Sequence, residues 1–181
     1  DIGSGKSYIA NLFGCPVFNA DLEVAKIYKT NKSFFKRLKK ILPKYFSVFP
    51  ANKIQFIKAI ENSEKNLKKI TKIIHPEIRK KLSIFLKKNK KRKAVILDIP
   101  LLIENKLNQK NDIIVFIQSK KSEIIKRLKK RDNFNSSLYN QFKKIQLPLS
   151  YKKKKSNYII KNNFTNKLVK KNLKKILKEI I

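Results

Sequence analysis

The pattern of apolar positions divides the chain into helices and short, continuously apolar strands. Runs at Ala94–Asp98, Ile113–Ile117 and Tyr158–Ile160 are nearly continuous apolar stretches, which is typical of strands buried on both faces of a parallel sheet. A further strand is predicted at Pro16–Asp21, where it ends in polar residues. Because these strands alternate with helical stretches, the pattern predicts an α/β fold with a doubly wound parallel sheet.

The helical stretches carry apolar residues every three or four positions. One helix is predicted from Leu22 to about Leu42, followed by shorter helices at Lys53–Glu61 and Glu64–Ile74. Pro76 lacks a backbone N–H and fits the first turn of a helix, so a new helix is expected to begin there. The remaining predicted helices are Lys6–Phe13, Lys120–Lys130 and Lys167–Ile180.

A phosphate-binding pattern precedes the first of these helices. Residues 1–7, Asp-Ile-Gly-Ser-Gly-Lys-Ser, match the P-loop G-x-x-x-x-G-K-S/T except for its first glycine, which would lie one residue before Asp1. We therefore expect that glycine and a strand to precede this sequence. Glycines let the backbone approach an anion and turn its N–H groups inward. A chance glycine-rich turn is disfavoured because a helical pattern starts directly after the motif.

The motif assigns a role to each polar residue type. Lys6 would reach the β- and γ-phosphates of a nucleotide, and the Ser7 hydroxyl would ligate Mg²⁺. The residues expected to contact the nucleotide here are Ile2, Gly3, Ser4, Gly5, Lys6, Ser7 and Tyr8.

The charge balance is strongly basic, with 46 Lys and Arg residues, 12 Asp and Glu residues and a formal net charge of +34. Such a charge favours polyanionic partners. The lysines, however, are spread over almost every predicted helix beside many Asn and Ile residues, and A- and T-rich codons encode all three amino acids. We therefore disfavour nucleic acid as the main partner, since a basic reader motif is also lacking. A nucleic-acid-binding protein with a vestigial P-loop stays the alternative from another class.

Length, hydropathy and cysteine content limit the other classes. A chain of 181 residues with 41% hydrophobic residues suits one α/β domain with small inserted subdomains. The longest nearly apolar stretch, Ala94–Ile103, is too short to cross a membrane. The single cysteine, Cys15, excludes an intrachain disulfide and favours a reducing compartment, so we expect a cytoplasmic protein.

Further motifs are spread along the chain as far as about Asn163. In chain order they are Ala10-Asn11-Leu12-Phe13, Pro16–Asp21, His75-Pro76 with Ile78-Arg79, Leu97–Asn105, Arg127 with Arg131-Asp132, Gln146, and Ile159–Asn163. With the P-loop, and above all through Pro-Leu-Leu-x-Glu-Asn at 100–105, they resemble the dephospho-coenzyme A kinase family. The resemblance implies a P-loop kinase fold of the nucleoside-monophosphate-kinase type. It also implies Mg²⁺-dependent transfer of the ATP γ-phosphate to the ribose 3′-hydroxyl of dephospho-coenzyme A, the last step of coenzyme A synthesis.

The resemblance also assigns residue roles. Lys6, Asp21 and Arg131 would be catalytic, with Asp21 receiving or orienting the proton of the ribose hydroxyl; a helix cap is the alternative for Asp21. Independently of the resemblance, Asp98 ends the predicted central strand, where it would hold Mg²⁺ through water as Walker-B acids do or serve as a turn residue before Pro100, and both interpretations stay open. Arg127 and Arg131, on one predicted helix face, would clamp ATP phosphates as a lid closes. Asn162 would contact adenine.

The same resemblance divides the chain into three parts. The nucleotide-binding core would comprise 1–21, 94–118 and 154–181, with a five-strand parallel sheet whose first strand is absent from this sequence. A helical substrate domain would occupy 22–93, and a lid 119–153. A P-loop kinase for another nucleotide or small metabolite is the alternative among enzymes.

A few positions depart from the family pattern. Asp1 stands where the family has a glycine, so its carboxylate either points away from the phosphates or lowers affinity for them. Leu149 and Lys152 stand at lid arginine positions. Glu104, in the most specific block, is expected to order the substrate domain, contact the acceptor or cap a helix.

Overall fold

The computed structural model describes residues 1–131 and 134–180. The helices within these ranges are α1 (Lys6–Leu12), α2 (Ala20–Thr30), α3 (Lys32–Ile41), α4 (Lys53–Asn62), α5 (Glu64–Lys88), α6 (Lys121–Lys129), α7 (Ser136–Lys144), α8 (Leu149–Lys154) and α9 (Asn166–Ile180). The strands are β1 (Val17–Asn19), β2 (Ile96–Asp98), β3 (Val115–Gln118) and β4 (Tyr158–Lys161). Among the described residues, no helix is both long and apolar enough to span a membrane.

The chain divides into two compact units. The first contains residues 1–17 and the chain from Arg92 onward, and the second is Phe18–Lys91. In the first unit, β3 and β4 pair in parallel, with Gln118 opposite Lys161. The apolar core on this strand pair joins α1 and α9 and consists of Ile9, Phe13, Ile117, Ile160, Val169, Leu173 and Ile176. The alternating α/β architecture with parallel strands is the predicted fold class.

The sheet is not continuous through the described residues. β1 and β2 form one two-stranded sheet and β3 and β4 form another, and the Ile96 N–H donates to the Pro16 carbonyl at 2.9 Å. A single five-strand sheet would need a strand bonded to both pairs, and no strand precedes α1 in the described chain. Helix α1, at the start of the described chain, packs against β2 and α9.

The second unit is helical, with an aromatic centre. Phe34, Phe46 and Phe56 are buried, and the Tyr28 ring stacks on Phe56 with centroids 3.8 Å apart. The single helix predicted for 22–42 is in fact α2 and α3. Asn31 separates them because it adopts an extended conformation and its side chain caps α3.

α5 also differs from the sequence prediction. A new helix was predicted at Pro76, but α5 runs through that residue without interruption. Ile70, Ile74 and Ile78 are buried at a spacing of four residues, so one apolar stripe continues across the proline. Packing of this stripe holds the helix together where the proline removes a hydrogen bond.

Candidate active site

The first residues fold back in a tight loop that leads into α1. The Asp1 carbonyl accepts hydrogen bonds from the Ser4 N–H (3.3 Å), the Ser4 hydroxyl (2.9 Å) and the Lys6 ammonium (2.7 Å). The Asp1 carboxylate accepts the Ile2 N–H at 2.7 Å. The loop is therefore closed by local bonds, and the acidic side chain that departs from the family pattern is bonded to its own neighbour.

Glycine is required at two positions of this loop for two separate reasons. Gly3 and Gly5 have φ values of +80° and +88°, a region that side chains rarely adopt. A Cβ on Gly3 would also lie 3.0 Å from Leu128 Cγ, and one on Gly5 would lie 2.6 Å from Asn162 Nδ2. The backbone of the loop is therefore in close contact with α6 and with the segment after β4.

The three residues after the loop open α1. Lys6 is half-buried and Ser7 is exposed, while Tyr8 is 49% exposed. The Lys6 ammonium reaches back to the Asp1 carbonyl. The predicted phosphate-binding cation and the predicted Mg²⁺ ligand are thus consecutive residues at the end of the loop, and their contacts with ATP stay predictions.

The oxygen donors available in the first unit suit Mg²⁺. Asp98 ends β2 and is 8% exposed, and Ser7 offers a hydroxyl. The described residues contain no group of three or more His, Cys, Asp or Glu side chains that could hold a metal ion. Mg²⁺ does not need such a group, because it keeps several waters and takes substrate phosphates with one or two protein ligands. The residues present therefore fit this ion.

Asn162 and Ser119 hold the loop from the other side. The Asn162 side-chain amide donates to the Ser4 carbonyl at 2.8 Å, and the Ser119 hydroxyl donates to the same oxygen at 3.1 Å. Asn162 is 3% exposed, and its side-chain oxygen accepts the Phe164 N–H at 2.9 Å. The amide expected to contact adenine is thus engaged with the P-loop, and an adenine contact stays a prediction.

The two arginines occupy different settings. The Arg127 guanidinium lies over the Phe164 ring, 4.3 Å from its centroid. α6 ends at Lys129, so Arg131 lies beyond the helix, and the prediction that both arginines share one helix face is wrong. Leu128 is the last buried residue of α6, and Lys129 and Lys130 after it are exposed. Arg131 is exposed.

Glu104 connects the Pro-Leu-Leu-x-Glu-Asn block to the predicted lid. Its carboxylate accepts the Lys152 ammonium at 3.0 Å and the Leu147 N–H at 3.1 Å. The side chains of Glu104 and Lys152 are only 9% and 13% exposed. Burial raises the pKa of the Glu104 carboxyl, but backbone N–H bonds and Lys152 outweigh it, so the pKa lies below its ordinary value. These bonds go to the lid segment rather than to the predicted substrate domain.

Asp21 lies in the second unit, and its setting corrects two sequence interpretations. β1 ends at Asn19 and α2 begins at Ala20, so Asp21 occupies the first helical turn and does not end the strand. The Asn19 side chain caps α2 by accepting the Leu22 N–H at 2.9 Å, so Asp21 is not the cap. Burial raises the pKa of Tyr28, and the nearby Asp21 carboxylate raises it further.

Two residues of the site escaped the sequence analysis. Ser119 follows β3 at the carboxyl edge of a parallel sheet, where α/β proteins place ligand contacts. Its position just after a predicted strand could therefore have indicated a role in the site. Phe164 lies in the turn before α9 with a φ of +63°, which no sequence pattern indicated.

The arrangement defines the class of protein. A loop with two left-handed glycines leads into a helix that starts Lys-Ser, and residues at the carboxyl ends of parallel strands hold that loop. These are the features of a nucleotide-binding P-loop protein of α/β fold.

Comparisons with known proteins identify the family. The dephospho-CoA kinase family matches residues 1–167, and the chain belongs to that family. A dephospho-CoA kinase of Wolbachia pipientis wMel is 32% identical over 181 residues, covering 97% of this chain and 92% of the relative. One of Rickettsia typhi is 30% identical, covering 98% and 92%. The family resemblance that the motifs indicated is confirmed. The chain is therefore an ATP-dependent kinase, and the alternative of a nucleic-acid-binding protein is not favoured.

Solved structures agree on the fold. A Thermus thermophilus protein superposes with a TM-score of 0.76 at 24% identity, covering 99% of this chain and 93% of that one. A dephospho-CoA kinase from Campylobacter jejuni superposes with a TM-score of 0.60 at 24% identity, covering 99% and 92%. The predicted P-loop kinase fold is therefore confirmed.

Proposed function

We propose that this protein transfers the γ-phosphate of ATP to the ribose 3′-hydroxyl of dephospho-coenzyme A, as the last step of coenzyme A synthesis. The observation that carries the proposal is the loop at residues 1–7, with two left-handed glycines and Lys6, in a chain that matches the dephospho-CoA kinase family over residues 1–167. In the reaction, a bond forms between the 3′-oxygen and the γ-phosphorus. The bond from that phosphorus to the bridging oxygen of ADP breaks, and the hydroxyl proton leaves to a base.

The residues divide the work of phosphoryl transfer, which is mainly positioning and charge stabilisation. Lys6 would hold the β- and γ-phosphates. Asp21, the candidate base, would take the hydroxyl proton on its carboxylate. Arg131, with Arg127, would stabilise the charge on the transferred group when the lid closes.

Ser7 and Asp98 would hold Mg²⁺, Asp98 through water. When bound, the ion would neutralise charge on the phosphate oxygens. The exposed Ser7 hydroxyl and the buried carboxylate at the end of β2 support this assignment.

The remaining assignments concern larger parts. Residues 22–93 would bind the acceptor substrate, and residues 119–153, which include α6, α7 and α8, would form the lid. The protein would work in the cytoplasm, which its single cysteine supports because that residue cannot form an intrachain disulfide.

An acceptor panel tests the proposal. With Mg²⁺ and ATP, dephospho-coenzyme A should be phosphorylated far faster than AMP, CMP, adenosine or shikimate in a coupled assay of ADP release. A Lys6→Met variant should lose this activity, which ties the signal to the P-loop. Equal or faster turnover of another acceptor would contradict the assignment. It would favour the alternative that this protein is a kinase for another nucleotide or small metabolite.

A further inference from the structure

We propose that Asn162 and Ser119 are positioning residues that aim the phosphate-binding loop by holding the carbonyl of Ser4. This inference rests on the proposed function, because it assumes that ATP phosphates bind at residues 1–7. Two donors converge on one carbonyl oxygen, Asn162 Nδ2 at 2.8 Å and Ser119 Oγ at 3.1 Å. Ser4 itself is fully buried.

The strand register explains why two residues so distant in sequence meet at this oxygen. Gln118 lies opposite Lys161 in the parallel pair, so Ser119 and Asn162 are the next residues along each strand. The Asn162 N–H donates to the Gln118 carbonyl at 2.7 Å, which extends the ladder by one bond. Side chains alternate along a strand, so Ser119 and Asn162 continue the face that buries Ile117 and Ile160.

Holding the carbonyl of Ser4 also fixes the direction of a donor. A trans peptide is planar, and its C=O and N–H point in opposite directions. The Ser4 carbonyl points at Asn162 and Ser119, so the Gly5 N–H of the same peptide points away from them. Backbone N–H groups of this kind cradle the phosphates in a P-loop. The two side chains thereby set the orientation of a phosphate-binding group that they do not touch.

The amide of Asn162 can take only one orientation. A carbonyl only accepts hydrogen bonds, so the Asn162 nitrogen must face Ser4, and an N–H only donates, so the Asn162 oxygen must face Phe164. The fit is also tight, because a Cβ on Gly5 would lie 2.6 Å from Asn162 Nδ2. The loop is therefore held in both direction and distance.

Two variants remove one donor each. Asn162→Asp keeps the acceptor for the Phe164 N–H but places a carboxylate oxygen against the Ser4 carbonyl, and Ser119→Ala removes the hydroxyl. Calorimetry should measure the affinity for ATP, for inorganic tripolyphosphate and for adenosine. In each variant, the affinity for ATP and the affinity for tripolyphosphate should fall by the same factor, because the substitution leaves a buried carbonyl short of a donor. For Asn162→Asp we expect this factor to be about tenfold or more. The adenosine affinity should stay unchanged, and the KM for ATP should rise.

Conservative and neighbouring variants serve as controls. Ser119→Thr keeps the hydroxyl and should restore tripolyphosphate affinity, and Asn163→Ala, at the exposed next residue, should leave it unchanged. Loss of adenosine affinity with normal tripolyphosphate affinity in Asn162→Asp would overturn the proposal in favour of an adenine contact. A lower melting temperature with normal tripolyphosphate affinity would overturn it in favour of a purely structural role. Because tripolyphosphate binding needs no acceptor substrate, failure of the proposed acceptor specificity would be seen separately.

Discussion

At the scale of single residues, the phosphate-binding loop depends on the close contact between Gly5 and the Asn162 side chain. The motif identified Gly5, Lys6 and Ser7. It could not show that Gly5 is packed against Asn162, because that contact joins residues 157 positions apart. Asn162 was singled out by resemblance alone, and its bond to Ser4 required the register of β3 and β4.

Asp21→Asn tests the candidate base. Asparagine has nearly the same size but cannot take up a proton, so kcat should fall by about a hundredfold, the scale of general-base catalysis. The affinity for ATP should stay near that of the parent protein. Steady-state kinetics with dephospho-coenzyme A and calorimetry with ATP, on one preparation, give both values.

Glu23→Gln is the matched control, since both acids lie in the first turn of α2. Either substitution removes a charge that favours the helix N-terminus, worth about 0.3–1 kcal/mol of unfolding free energy. Only Asp21→Asn should change kcat. A similar kcat for the two variants would show that Asp21 serves the helix and not the reaction.

At the scale of elements, apolar periodicity located the strands and most helices but not their ends. The strands after residue 93 were predicted within two residues of their observed bounds, because short, continuous apolar runs are typical of strands in a parallel sheet that is covered on both faces. The break at Asn31 was missed because the apolar positions resume in phase after the polar residues 29–33, with the buried Phe34 two helical turns beyond the buried Ile27. The break predicted at Pro76 was wrong because packing of α5 outweighs the local effect of proline.

Glu104→Gln tests the connection between the Pro-Leu-Leu-x-Glu-Asn block and the lid. It leaves the Lys152 ammonium poorly compensated, so the unfolding free energy at pH 7 should fall by about 1–3 kcal/mol. The folded-state pKa of Glu104 lies below the ordinary 4.5, so its carboxylate stabilises the fold above that pH. The difference from the parent protein should therefore shrink as the pH falls below 4.5. Urea titrations across pH measure it.

Two further variants sharpen that test. Glu64→Gln neutralises an exposed carboxylate at the start of α5 and should change stability only slightly. Adding Lys152→Met to Glu104→Gln should recover part of the lost stability, because the uncompensated buried charge is removed. A loss that persists unchanged at low pH, or no recovery in the double variant, would contradict the ion-pair explanation.

The lid itself is tested at Arg131. Arg131→Ala should lower kcat while the melting temperature stays the same, because an exposed side chain just beyond α6 contributes little to folding. Lys130→Ala removes a neighbouring exposed charge and should leave kcat unchanged. Equal kinetics for the two variants would mean that general positive charge, and not a placed guanidinium, assists the reaction.

At the scale of the whole molecule, the excess of positive charge is spread along the chain and is not confined to one segment. The 46 Lys and Arg side chains outnumber 12 carboxylates, so most cations have no carboxylate available as a partner. The P-loop requires one of these lysines, and the family match requires a few basic positions. The remaining positive charge repels itself, which destabilises a compact state and favours any polyanion.

This interpretation predicts how salt acts on the fold. The melting temperature should rise between 20 mM and 500 mM NaCl, because the screening length falls from tens of ångströms to a few and the repulsion weakens. KCl at the same ionic strength should give the same rise, since screening does not depend on the cation. DNA duplexes of unrelated sequence should bind with equal affinity and dissociate steeply over this salt range. A melting temperature that falls with salt, or one duplex sequence that stays bound at 500 mM, would show instead that the basic surface is organised for a particular partner.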